Sequence, residues 1–137
     1  MVKVLQDIWI LSEGGLVLYH RIYDEKIDEQ LLGALMSALS SFAEEIVDEG
    51  LSNFEVQNQK FTLFKKKGLL FIAKSPTKVH EKKVIEELNK IVEKFFQLYS
   101  NEILNSWDGD NSIFSNFEKE IEDSLEETIK KFQNAFW

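Results

Sequence analysis

Residues able to do chemistry are few in this chain, and they do not converge. His20 lies in the strand-like stretch "LVLYHRI" with no acidic residue beside it, and His80 stands in the first turn of an expected helix. Neither has the spacing of a metal-ligand pair, and no serine or cysteine nucleophile motif accompanies them. "DGDNS", Asp108 to Ser112, sets oxygen-bearing side chains at alternate positions, as the start of an EF-hand loop does. Its sixth position is Ile113 where that loop needs glycine, and its twelfth is Lys119 where it needs a bidentate Glu. A turn between helices accounts for these residues instead. "SEGG" lacks a following Lys-Ser/Thr and leads into a strand, so it is no phosphate loop. Without cysteine, thiolate metal sites and disulfides are excluded. No acid, base and nucleophile set emerges; the expectation is no catalytic residue, no metal and no cofactor.

Surfaces are then the expected seat of function, and two stretches qualify. In "DEQLLGALMSALSSFAEEIVDE", Asp28 to Glu49, a rotation of 100° per residue gathers Leu31, Leu32, Leu35, Met36, Leu39, Phe42, Ala43, Ile46 and Val47 on one face. The opposite face carries Gly33, Ala34, Ser37, Ser40 and Ser41, where a solvated helix would carry Lys, Glu or Gln. Gly in a helix costs about 1 kcal/mol relative to Ala. Short side chains let another helix or a sheet edge approach closely, so these five residues are the expected partner interface; a plain exposed helix, or a face covered by the chain's own C-terminus, are the alternatives. The second stretch is "KKK", Lys65 to Lys67, at an expected hairpin tip. It could meet anionic lipid or an acidic partner, or simply keep a turn soluble.

The elements that position these residues follow from the hydrophobic period. "VLQDIWIL" (4–11) and "LVLYHRI" (16–22) read as a hairpin around "SEGG". Asp28 is a plausible cap for the helix that follows, and Gly50 stands just past its last periodic residue. "LSNFEVQ" (51–57), "KFTLF" (60–64) and "LLFIAK" (69–74) form a meander ended by Pro76, the only proline. From Thr77 the period turns helical, with Val84, Leu88, Ile91, Val92, Phe95, Leu98, Tyr99 and Ile103 on one stripe. After "NSWDGDNS", Ser115 and Glu118 match an S-x-x-E capping box ahead of a last helix over about 113–136, whose stripe runs through Phe117, Ile121, Leu125, Phe132 and Phe136. The closing "FQNAFW" is expected to fold its rings, Phe136 and Trp137 among them, back onto the core, the alternative being that it presents them to a partner.

The order is β-β-α-β-β-β-α-α. "IWIL" and "LLFIA" are apolar on successive residues, as strands covered on both faces should be. One helix on one face and two on the other would cover them, giving a three-layer α/β (α+β) sandwich on a five-stranded, mostly antiparallel sheet. The 137 residues, with 44% hydrophobic composition and no linker, fit one domain over 1–137 with a real core. A net charge of −8 disfavours nonspecific nucleic-acid binding. No apolar run approaches the ~20 residues of a membrane span. The opening residues make a poor signal peptide, and neither a myristoyl nor a prenyl signal is present. A soluble cytoplasmic domain is expected, with membrane contact at most peripheral.

The opening "IWILSEGGLVLYHR", the helix "KIDEQLLGALMSALSSFAEEI" after it and the order of elements resemble a longin domain. The likeness covers residues 1–104 best. The related roadblock domains usually begin with a helix before the first strand, whereas strand-like residues start here at Val4. The short last helix does not suit a SNARE coiled coil; free-standing members such as sedlin-type tethering subunits and adaptor small subunits match the length better. The resemblance implies a non-enzymatic adaptor that pairs, with itself or a related longin or roadblock subunit, through the 28–49 helix. It further implies engagement of a small GTPase or a trafficking complex. The alternatives are a roadblock-like scaffold of similar function, and a small ligand-binding or enzymatic domain with a pocket beside the sheet.

Overall fold

A computed structural model describes residues 5–12, 17–21, 50–56 and 58–122. Five strands are present among them: β1 (Asp7–Leu11), β2 (Val17–Arg21), β3 (Gly50–Val56), β4 (Gln59–Lys66) and β5 (Leu69–Pro76). They form one antiparallel sheet in the order β2-β1-β5-β4-β3. The two wholly apolar runs become neighbours near the centre, where Ile8 faces Ala73, Trp9 faces Ile72 and Ile10 faces Phe71. Every residue of β1 is buried, as is β5 from Leu69 to Ser75. Mixed composition goes with an edge position in β2, while β4 is buried from Phe61 to Leu63 and more open towards both ends.

Alternation along the strands sorts the core into two sides. Ile8, Ile10, Phe71 and Ala73 pack against helix α1 (Glu81–Leu98) through its Val84, Leu88, Ile91, Val92 and Phe95. Each such side chain removed from water contributes about 2 kcal/mol. The register places Trp9, Leu11, Leu63, Leu70 and Ile72 on the reverse side, where they are buried too. The expected helix over 28–49 lies outside the described residues.

The C-terminal region departs from the expected pair of continuous helices. The apolar stripe to Ile103 is cut after Leu98: Tyr99 and Ser100 are extended, and a short helix α2 covers Asn101–Asn105. The cut has a tertiary cause, because the Tyr99 ring is held 4.8 Å from Phe114 and 4.9 Å from Phe95. Ser100 then caps α2 by accepting from the Ile103 amide. A 3-10 helix (Asn111–Phe114) precedes helix α3 (Phe117–Ile121). The expected capping box does not form. Ser115 closes the 3-10 helix in αR conformation, Asn116 is the residue ahead of α3, and Glu118 turns to Arg21 instead. Residues 123–137, with Phe132, Phe136 and Trp137, lie outside the described part.

Candidate functional site

The β4–β5 hairpin carries the basic tip. Lys66 pairs with Leu69, which leaves Lys67 and Gly68 as a two-residue turn. Both have positive φ, 53° and 80°, the pattern of the hairpin turn whose twist matches its strands. Glycine adopts this freely, whereas the lysine pays roughly 1 kcal/mol for it. Lys67 is steadied by lying over the Phe96 ring of α1, its Nζ 4.8 Å from the centroid. Register sends Lys65 and Lys66 to opposite sides of the sheet. The tip therefore presents positive charge in three directions at the end of α1, whose own last turn has no basic residue.

The other candidate surface, Gly33, Ala34, Ser37, Ser40 and Ser41, lies outside the described residues.

The residues considered for chemistry stay apart. His20 is exposed on edge strand β2, and His80 is exposed just ahead of α1, where its side chain forms no cap. Among the described residues neither histidine pairs with a carboxylate, and no three Asp, Glu or His side chains gather as a metal site would require. Segment 107–112 is the turn the sequence suggests. The Asp110 amide donates to Asp108 Oδ1 at 3.0 Å, and Asp110 Oδ1 accepts from the Ser112 amide at 3.0 Å. The hydrogen bonds from Ser112 hold the Asp110 carboxyl below the usual range. Gly109 (φ 98°) supplies the left-handed residue between them, and Trp107 Nε1 donates to the Asp110 carbonyl at 2.9 Å.

Two polar arrangements were not anticipated. Asp7 and Lys74 face each other across β1 and β5, Lys74 Nζ lying 3.2 Å from Asp7 Oδ2, both residues buried. The signal was in the sequence: an acid opens "DIWIL", a base closes "LLFIAK", and antiparallel pairing brings those ends together. The second arrangement centres on Arg21. Its guanidinium donates to the Gln6 carbonyl, and its Nε lies 3.5 Å from Glu118 of α3. Beside it the buried Tyr19 ring meets Phe117 edge-on at 5.2 Å. Burial first, and the nearby Glu118 carboxylate second, push the Tyr19 phenol far above its ordinary value. Its hydroxyl has no hydrogen-bond partner among the described residues.

These arrangements hold helices and strands together and present charge. They do not assemble a reacting centre among the described residues. No helix among those residues is long and apolar enough to cross a membrane. Residues 6–130 match a family model described as the first longin domain of FUZ, MON1 and HPS1. No curated protein sequence matches the chain.

Proposed function

We infer, from the premise that this chain belongs to the family of first longin domains of FUZ, MON1 and HPS1, that it is a non-enzymatic adaptor. The match over residues 6–130 is the observation that carries this reading. In it, residues 1–137 form one domain with the order β-β-α-β-β-β-α-α. The 28–49 helix covers the side of the sheet that holds Trp9, Leu63 and Ile72, turning Gly33, Ala34, Ser37, Ser40 and Ser41 outward. The burial of that side supports such a layer, since an apolar sheet face needs a cover. The outward residues receive a second copy or a related longin or roadblock subunit, and the composite surface engages a small GTPase of a trafficking complex in the cytoplasm. Lys65, Lys66 and Lys67 then offer a peripheral contact to an acidic partner, or to anionic lipid at about 1 kcal/mol per lysine.

Affinity purification from the native host tests the reading. A small GTPase should be recovered with the chain, and its recovery should fall at least tenfold in Ser37→Arg while the circular dichroism spectrum is unchanged. Recovery without any GTPase, or recovery indifferent to Ser37→Arg, contradicts it.

A further inference from the structure

The interruption between α1 and α2 is not forced by a helix-breaking residue, although Ser100 caps the new start locally. Leu98 to Leu104 contains neither proline nor glycine, and its residues continue the helical stripe begun at Val84. The chain is extended at Tyr99 and Ser100 because of what lies beyond them. Phe114 and Phe117, both fully buried, close around Tyr99 and Phe95, with Phe117 at 5.3 Å from Phe95 and 6.1 Å from Tyr99. The helix break thus depends on the segment from Asn101 to Glu122 lying across α1 and β2.

That segment is incompletely buried. Leu98, Ile103 and Ile113 are 40%, 42% and 44% exposed, and all three flank the junction or ride on the segment. The Tyr19 hydroxyl beneath it is buried with no hydrogen-bond partner among the described residues. Outside the ring contacts, two ion pairs among the described residues hold it: Arg21 to Glu118 at 3.5 Å and Lys94 to Glu120 at 3.6 Å, each with a carboxylate 45% exposed. Water and salt reach both pairs.

We propose that Tyr99 and Ser100 are a hinge, and that residues 101–122 are a strap. When the strap lifts, α1 and α2 fuse into one helix from Glu81 to Asn105 and a groove lined by Tyr19, Arg21, Phe95 and Tyr99 opens. Burial of Phe114, Phe117 and Ile121 keeps the closed form dominant, with the open form a minor population. The strap itself is the groove's occupant, seated by two aromatic rings one helical turn apart and a following acid, Phe114, Phe117 and Glu118. This inference does not depend on the adaptor reading, because it concerns only contacts within the chain.

The chain has no cysteine, so spin labels can be placed on Glu93→Cys and Glu122→Cys, both exposed positions, and their separation measured in the full chain. Ser100→Ala removes the α2 cap and favours continuous helix. Glu118→Gln with Glu120→Gln removes the two surface ion pairs without touching the core. Either change should raise the population at a second, longer separation at least threefold over the unmodified background, with far-UV helix content equal or greater. A single separation in both variants overturns the hinge. So does a longer separation accompanied by loss of helix, which would be local unfolding and not the rearrangement proposed.

Discussion

The β1–β5 pair, buried at every paired residue, and the strap from Asn101 to Glu122, buried among the described residues only at Phe114, Phe117 and Ile121, both pack against α1, yet different forces fix them. The strand pair is set by its own sequence: two apolar runs, matched in length, with opposite charges at the ends that meet. Its register could hardly slip, because a one-residue shift would drive Trp9 to the other side of the sheet and part Asp7 from Lys74. The strap has little local instruction. Its helices are five residues long or shorter, and Phe114, Phe117 and Ile121 find their places only by meeting Phe95, Tyr99 and Tyr19. Pairing by pattern gives one part of the molecule its shape, and ring packing gives it to the other.

Four single substitutions, the first also combined with Asp7→Leu, test that contrast. Lys74→Met removes the ion pair that Lys74 makes with the buried Asp7 carboxylate, and breaking such a pair costs about 3–5 kcal/mol. Urea unfolding should show a lower midpoint for the whole domain, largely restored by adding Asp7→Leu. Phe117→Ala should cost about 3 kcal/mol, near the low end for a buried ring. Here hydrogen exchange should accelerate in residues 101–122 while β1 and β5 amides stay protected. Equal loss of protection in both regions would erase the distinction.

Tyr19→Phe is read against pH. The folded phenol titrates above its unfolded counterpart, which lies at about 10. Stability from the neutral phenol is therefore complete below pH ~10 and is lost as pH rises through the folded value. The parent chain should lose stability on the alkaline side, and the phenylalanine variant should lose less. Glu118→Gln has the smallest effect, below about 1 kcal/mol, because its carboxylate is half in water. Added salt should shrink the difference further.

The same contrast explains what could be read in advance. An antiparallel α+β fold, the double burial of β1 and β5, the lysine hairpin tip and the turn at Asp108–Ser112 were legible because each rests on local pattern or turn chemistry. The continuous stripe to Ile103 misled, since period alone cannot register that Phe114 returns to hold Tyr99. Ser115 and Glu118 have the spacing of a cap, but Arg21, distant in sequence, offers Glu118 a charged partner. The Asp7–Lys74 pair was visible in principle once the two apolar strands were taken as antiparallel neighbours. Of the candidate interaction residues, the lysines fall on the expected tip, whereas Gly33, Ala34, Ser37, Ser40 and Ser41 lie outside the described residues.

The adaptor account rests on a second polypeptide covering those five small residues. Light scattering on the chain, alone and as recovered from its native host, measures this directly for the parent and for Ser37→Arg. The account predicts a particle containing at least two polypeptides, in one or both preparations, reduced by Ser37→Arg to the mass of a single folded chain. A parent that stays monomeric in both preparations, or a complex whose mass Ser37→Arg leaves unchanged, would contradict it.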